Sequence, residues 1–251
     1  MFITIRKQNH MKNYFVQTLC KINKEESHKP DQQVPLNEKN YYPLYQEIQK
    51  VSYSSFKHFM EGDWEYILLE EEVNHVFEVF QQNFQKMYDL RQKEECNILF
   101  CGLDTTMIAP TEIFGRWDKF MMFNHTDPKR SPKFENNFNC DVRYYPSTMD
   151  QKWWDYTIEK MDSLKVWSDE QDIYNDMLWG QGVTLEEARH PELSFQAHMM
   201  PDLDTKIEEA NFYNQFDIND AQIIHWHSSR GIENRLHLMK DVCDRLDVPI
   251  V

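Results

Sequence analysis

The strongest hydrophobic pattern in the chain lies between Val73 and Leu90. Apolar side chains recur there at steps of three and four residues, which places them on one stripe of a helix. Three glutamates at 70–72 come directly before this segment, and negative charge favours the N-terminus of a helix. We therefore predict a helix from Val73, with the glutamates beside its first turn.

The segment that follows this helix, Asn97 to Leu103, is a short and continuous apolar run. Its length and composition are typical of a strand that is buried on both faces. A long helix that leads into such a strand indicates an α/β protein, in which helices flank a mixed, mainly parallel sheet.

Weaker patterns along the chain predict the other elements. Helices are predicted at 41–60, 151–164, 170–178 and 234–246, and strands at 2–5, 63–69, 142–145 and 221–227. Residues 24–40 are polar and contain two prolines, which is typical of a loop insertion. The sequence shows no internal repeat, and at 251 residues we expect a single domain over 1–251.

Composition narrows the possible classes of function. The chain has 42 acidic and 27 basic residues and a net charge of −15, so it would repel a phosphate backbone and nucleic acid is a poor partner. With 41% hydrophobic residues it can bury a core without disulfides or a structural metal. Its 5 cysteines form no CxxC pair, which argues against a disulfide framework and a cysteine-rich zinc site.

The sequence also bears on the compartment. It has no uninterrupted apolar region of signal-peptide length near its start and no apolar run long enough to cross a bilayer. An odd number of cysteines suits a reducing compartment. We therefore expect a soluble, cytoplasmic protein without a transmembrane segment.

Asp104 is the acid on which the buried apolar strand ends. In an open α/β sheet, ligands collect at the carboxyl ends of the strands, and a carboxylate held there suits a hard divalent cation such as Mg²⁺ or Mn²⁺. The simpler alternative is that Asp104 caps a turn together with Thr105 and Thr106. Taken alone, this stretch favours the turn.

Four stretches of the chain, taken in order, carry a more specific pattern. They are NILFCGLDTTMIAPTEIF from Asn97, FNCDVRYYP from Phe138, SDEQDIYNDMLW from Ser168 and IIHWHSSRG from Ile223. In this order they resemble the motifs of GT-A type glycosyltransferases, which are nucleotide-sugar-dependent enzymes with a Rossmann-like sheet. The resemblance covers about 85–231, and the order of the blocks carries it more than any single block.

The chain departs from this family pattern at two positions. Asp104 corresponds to the second acid of the family's Asp-x-Asp motif, and Gly102 stands where the first acid is usual. Asp141 stands where the second block usually has a glycine. The loss of one carboxylate would weaken metal binding, leave the protein to work without metal, or leave it inactive.

The resemblance implies a metal site. In the family pattern Asp104 contacts a Mn²⁺ (or Mg²⁺) ion held by the donor's diphosphate, and His225 completes the coordination from another strand. His227 lies two residues further on and would point to the same side of an extended strand. A zinc site on this HxH pair ranks lower because no third ligand is evident nearby, and surface polarity near a strand end is the simplest alternative.

The resemblance also implies contacts to the donor nucleotide from Lys86, Asp104, Asn139 and Arg230. Arg230 lies between two serines and a glycine, a setting that lets a guanidinium and backbone amides approach a phosphate. The ordinary alternatives are a solvated loop arginine and a lysine on the polar face of a helix.

A short acidic run is the candidate catalytic group. Glu170, Gln171 and Asp172 offer polar groups to sugar hydroxyls or to the positive charge that develops at the anomeric carbon. Acids at the start of a helix are also favoured by its dipole, which is the ordinary explanation. We assign most of the nearby large aromatics to packing, namely Trp153, Trp154, Trp167 and Trp179.

The sequence thus favours a glycosyltransferase that moves a sugar from a nucleotide-diphosphate donor to an unknown acceptor, a glycan or another molecule, with metal assistance through Asp104 and His225. The alternative is a catalytically inactive GT-A-like binding or structural protein. A third hypothesis is a metal-dependent hydrolase built on the HxH pair.

Overall fold

The computed structural model describes residues 11–22, 41–74, 76–126, 137–164, 169–188, 195–196, 221–226 and 231–251. The strand predicted at 2–5 and the loop insertion predicted at 24–40 lie outside these ranges.

The main sheet has five strands. They are β1 (Lys12–Ile22), β2 (Glu65–Val73), β3 (Cys96–Cys101), β5 (Met121–Thr126) and β6 (Asn137–Tyr145). Their order across the sheet is β2-β1-β3-β6-β5. Strand β1 is parallel to both β2 and β3, and only β6 runs antiparallel to its two neighbours. The prediction of a mixed, mainly parallel sheet is confirmed.

A second, small sheet has three strands in the order β4-β8-β7. They are β4 (Thr105–Met107), β7 (Phe195–Gln196) and β8 (Ile223–His225). Strand β4 follows β3 after a short turn and pairs antiparallel with β8, which places Thr105 opposite His225. This pairing brings the first and the fourth of the four sequence blocks together at the end of β3.

The helices flank the sheets, as predicted. They are α1 (Tyr42–Phe59), α2 (Val76–Lys93), α3 (Gln151–Asp162), α4 (Asp169–Gly180), α5 (Leu185–Ala188) and α6 (Ile232–Arg245). Helix α1 begins with a proline in its first turn, and the Asp150 carboxylate accepts a hydrogen bond from the Lys152 N–H at the start of α3. No helix in the described ranges combines the length and apolarity needed to cross a membrane.

The placement of the three glutamates differs from the prediction. Residues 70–72 belong to strand β2, and α2 begins only at Val76. The reason is pairing with β1, because Leu19, Cys20 and Lys21 lie opposite the three glutamates in the parallel ladder. The three glutamates are therefore strand residues and do not begin the helix.

Two buried clusters hold the elements together. The larger lies between the main sheet and helices α2 to α4, where Trp154 stacks on Tyr145 at 5.2 Å between ring centroids. The smaller joins α1, α6 and the second sheet around Val51, Trp226 and Met239. The smaller cluster fixes α6 and β8 beside the end of β3, which is where the charged residues converge.

Candidate functional site at the ends of strands β1 and β3

A cavity of about 310 Å³ opens where β1 and β3 end. This is the edge of an α/β sheet at which ligands are expected. Apolar and uncharged side chains form one part of its lining, and five charged side chains form the rest. The charged residues are Asp104, Asp141, Arg143, Glu170 and Arg235.

Asp104 lies in the turn between β3 and β4. The Thr105 hydroxyl donates to the Gly102 carbonyl at 2.7 Å, so the local turn contains the hydrogen bond that the simpler interpretation expects. The Asp104 carboxylate itself has distant partners. Its Oδ2 lies 2.8 Å from Arg235 Nη1 on α6, and its Oδ1 lies 3.6 Å from His225 Nε2 on β8.

Asp141 reaches the same histidine from strand β6. Its Oδ2 lies 3.1 Å from His225 Nε2. The Gly102 N–H donates to the Asp141 carbonyl at 2.7 Å, so the two positions are direct neighbours. A Cβ atom placed on Gly102 would lie 3.0 Å from Asp104 Oδ1 and 3.2 Å from Asp141 Oδ1. The two departures from the GT-A pattern therefore face each other in space.

His225 lies between these two carboxylates and is almost fully buried, with 1% of its side chain exposed. Burial opposes its protonation, but the carboxylates of Asp141 and Asp104 outweigh that effect and raise the pKa of His225. Two acids, an imidazole and the Arg235 guanidinium thus form one compact charged group, in which both acids and Arg235 line the rim of the cavity and His225 is buried beside them.

The chemistry of this group suits Mn²⁺ or Mg²⁺, which accept carboxylate oxygens and, for manganese, imidazole nitrogen. The separations of 3.1 and 3.6 Å from His225 Nε2 to the two carboxylates are close to the about 3 Å that separates neighbouring ligands around an octahedral ion. Among the described residues, however, no three acidic, histidine or cysteine side chains form a finished metal site. Arg235 engages Oδ2 of Asp104, whereas Oδ1 is the oxygen that faces His225.

Deeper in the cavity, Arg143 on β6 and Glu170 on α4 form a buried ion pair with 2.9 Å between Nη1 and Oε1. The guanidinium lies over the rings of Phe100 and Tyr174, at 4.1 and 4.0 Å from their centroids. Burial raises the pKa of Glu170 to about 7, against the opposing effect of Arg143. Glu170 is thereby a proton acceptor whose pKa lies near neutrality.

This pKa leads to a prediction about stability and pH. The pKa of Glu170 rises from 4.5 to about 7 on folding, so the folded protein binds this proton more tightly than the unfolded chain. The stabilisation from this group is complete below about pH 4.5 and is lost as the pH rises to about 7. We expect Glu170→Gln to remove this loss, which amounts to at most about 3 kcal/mol, in urea unfolding measured across that pH range.

The control for this measurement is Glu159→Gln, an exposed glutamate on α3. Its pH dependence should follow the wild type. If Glu170→Gln retains the full wild-type slope, Arg143 keeps Glu170 ionised throughout and the carboxylate is not a proton acceptor near neutral pH.

The structure separates the other two residues of the candidate catalytic run from the cavity. Asp172 lines a second depression of about 370 Å³, beside Tyr156 and Lys160 of α3. The Gln171 backbone carbonyl accepts a hydrogen bond from the Asn175 side chain at 2.8 Å. Of the three, Glu170 is the one that lines the cavity at the ends of β1 and β3.

The residues expected to contact the donor are also dispersed. Lys86 forms an ion pair with Glu71 of β2 and is not among the residues that line the cavity. Asn139 is buried, and its side-chain oxygen accepts the Asp141 N–H at 2.8 Å, so it orients the backbone beside the charged group. Arg230 lies outside the described residues, and so does His227, which was predicted as a metal ligand. The roles of these four residues remain predictions.

Several residues of the site were not singled out in the sequence. Arg143 and Arg235 have no local pattern that distinguishes them from other arginines, because their partners come from α4 and from the turn after β3. Asn175 clamps both the N–H and the carbonyl of Phe138, at 2.9 and 2.8 Å, which fixes the start of β6 against α4. Of the tryptophans assigned to packing, Trp154 is fully buried and Trp153 and Trp179 pack against the larger cluster, whereas Trp167 lies outside the described residues.

Comparison with known proteins supports the fold. No family model matches the sequence, and no curated protein matches it. Among solved structures, one titled as the apo structure of the WbbM bifunctional glycosyltransferase superposes with a TM-score of 0.52 and 8% sequence identity. The match covers 96% of this chain and 53% of that one, so this chain spans about half of its length. The protein thus has a glycosyltransferase-like α/β fold, with a mixed sheet of mostly parallel strands flanked by helices.

Proposed function

We propose that the protein transfers a glycosyl group from a nucleoside-diphosphate sugar to an acceptor. The observation that carries this proposal is the convergence of Asp104 and Asp141 on the buried His225, beside a cavity at the strand ends that both carboxylates line. In a glycosyltransferase-like fold, this is the edge of the sheet where a ligand binds. Glu170 lines the same cavity and supplies a carboxylate beneath this rim.

The charged group at the rim would serve the diphosphate. Asp104, Asp141 and His225 would hold Mn²⁺ or Mg²⁺, which when bound neutralises the charge that develops on the departing nucleoside diphosphate. Arg235, which holds Asp104 at 2.8 Å, is the permanent positive charge of the rim and would turn to the phosphates when the carboxylate engages a cation. Asn139 orients the Asp141 backbone, Lys86 and Arg230 remain proposed contacts to the donor, and His227 remains a proposed metal ligand.

Glu170 would act on the sugar. Its carboxylate is held by Arg143 at 2.9 Å and is buried, so it keeps one orientation and is shielded from water. A carboxylate in that setting stabilises an oxocarbenium-like centre or accepts a proton from the attacking hydroxyl. Gln171 and Asp172 follow it on α4 and belong to the same proposal, although neither lines the cavity.

The proposal is tested by calorimetric titration of the protein with uridine and guanosine diphosphate, with and without Mn²⁺. We expect binding of at least one diphosphate and tighter binding when Mn²⁺ is present, because the cation bridges the diphosphate and the carboxylates. Release of the diphosphate from the matching nucleotide sugar then reports transfer to water or to an acceptor. A protein that binds neither diphosphate under either condition is not a transferase of this kind.

One observation favours a second candidate function. The Arg235 guanidinium already occupies Asp104, as it would in a relative that binds a nucleotide without metal and has no catalytic role. Such a binding protein would take up a nucleoside diphosphate equally well with and without Mn²⁺, and it would release no diphosphate from any nucleotide sugar.

A further inference from the structure

One wall of the cavity carries two buried polar atoms that have no hydrogen-bond partner in the part of the chain that the structure describes. Asn83 on α2 is only 4% exposed, and its carboxamide oxygen is without a partner. The hydroxyl oxygen of Thr18 on β1 is also buried and without a partner. Both residues line the cavity.

Such atoms are informative because a buried polar group without a partner destabilises the folded state. Most buried polar side chains in native proteins are satisfied, so each exception calls for an explanation, such as a bound water, an ion or a functional role. Asn83 and Thr18 lie on different elements and line the same cavity, which makes an accidental defect in packing a poor explanation.

The surroundings of Asn83 are suited to a flat ring. Val79 precedes Asn83 by one helical turn and lines the same wall, with Phe80 beside it. Cys20 lies two residues after Thr18, on the same face of β1. The wall therefore offers apolar surface around a carboxamide and a hydroxyl, which is the usual composition of a site that recognises a small heterocycle.

The wall with Asn83 and Thr18 is next to the charged rim, so one nucleotide could contact both. Val16 is level with Phe100 in the parallel pairing of β1 and β3, and β1 continues to Ile22 whereas β3 ends at Cys101. Thr18 is therefore beside the turn that carries Asp104. A diphosphate held at the rim would bring its nucleoside to this wall, while its sugar would lie towards Glu170.

We propose that Asn83 recognises the base of the donor nucleotide, with Thr18 as a second contact. The inference rests on the proposed function. A carboxamide presents an N–H donor beside a carbonyl acceptor, which is complementary to the edge of uracil or guanine that carries an N–H beside a carbonyl. Asn83 thus determines which nucleotide sugar the protein selects.

The test compares binding of uridine, guanosine and adenosine diphosphate and of inorganic pyrophosphate, in the presence of Mn²⁺, by calorimetry. The variants are Asn83→Leu and Thr18→Val, which remove polar atoms at similar volume. The control is Gln85→Ala, an exposed residue of the same helix whose side chain bonds Asp89. Gln85→Ala should bind every ligand as the wild type does.

We expect Asn83→Leu to weaken binding of the preferred diphosphate at least tenfold and to leave pyrophosphate binding unchanged, because pyrophosphate has no base. The thermal midpoint of the variant should stay constant or rise by roughly 2–4 °C, since a buried group without a partner has been removed. Thr18→Val should show the same pattern with a smaller, roughly threefold, loss. A purely structural asparagine would instead lower the midpoint.

The outcomes separate this inference from the proposed function. A wild-type protein that binds pyrophosphate and all three diphosphates with equal affinity keeps the proposed function and overturns base recognition. The same conclusion follows if Asn83→Leu and Thr18→Val both bind as the wild type does, or if they lose pyrophosphate and diphosphate equally. A wild-type protein that binds none of the four ligands overturns both.

Discussion

Replacement of Asp104 by alanine is expected to abolish metal-dependent binding of a nucleoside diphosphate and to leave the fold intact. The carboxylate faces Arg235 and His225 rather than the local turn, and the turn keeps its own hydrogen bond from Thr105 to Gly102. Removing it takes away one of the two rim carboxylates and leaves Arg235 without its acid. We expect the dissociation constant in the presence of Mn²⁺ to rise at least about 100-fold, or about 2.7 kcal/mol.

Two further variants make this result specific. Asp104→Asn keeps the shape of the side chain and removes its charge, so it should lose nearly as much affinity as alanine if the carboxylate engages a cation. Asp118→Ala removes an exposed carboxylate in the segment before β5 and should bind as the wild type does. Circular dichroism and the thermal midpoint check that each variant is folded. Wild-type affinity in Asp104→Ala would remove this residue from the site.

The parts of the fold that the sequence predicts best are those in which burial follows a regular period. Helix α2 and strand β3 have uninterrupted patterns, and both are found within a few residues of the predicted bounds. Strand β1 was not predicted, although it lies in the middle of the main sheet. It carries Gln17, whose side chain is buried and bonds the Ser52 hydroxyl at 2.8 Å.

A polar residue in a central strand breaks the apolar pattern, and its partner lies on α1, far away in the sequence. The glutamates of β2 show a different effect of tertiary pairing, because they lie on an edge strand, with Glu70 and Glu72 exposed. In the sequence their charge suggests the start of a helix. In the structure they pair in parallel with β1, and this pairing makes them part of a strand. Local patterns report propensity, and tertiary pairing overrides them where buried polar groups find distant partners.

In the candidate site, too, some residues could be predicted from local sequence patterns and others depend on tertiary contacts. The order of the four sequence blocks singles out Asp104 and His225, and the pairing of β4 with β8 brings their side chains to 3.6 Å. Arg235 and the pairing of Arg143 with Glu170 could not be read from the sequence, because each depends on how a helix docks on the sheet. The sequence shows Asp141 only as a departure from the family pattern. It does not show that Asp141 lies beside Gly102 and His225.

The closeness of positions 102 and 141 leads to a second prediction. It concerns the effect on ligand affinity of moving a carboxylate from one of these positions to the other. Position 102 has lost the acid that the GT-A pattern expects, and position 141 has gained one where a glycine is usual. The Cβ of a residue at 102 would lie 3.2 Å from Asp141 Oδ1, so an acid at either position would occupy nearly the same space. We expect Asp141→Gly to weaken Mn²⁺-dependent binding of the diphosphate by about 10–100-fold.

The double variant Gly102→Asp with Asp141→Gly should recover most of that affinity, because it returns one carboxylate to the rim from the neighbouring strand. Gly102→Asp alone should be destabilised, since its Cβ would lie 3.0 Å from Asp104 Oδ1 and three acids would crowd His225. Manganese binding followed by electron paramagnetic resonance, without any nucleotide, reports the site directly. Asp141→Gly with wild-type manganese affinity would show that Asp141 is not a ligand. If the double variant does not regain affinity for Mn²⁺, a carboxylate is effective only at position 141 on β6. The two positions would then not be interchangeable.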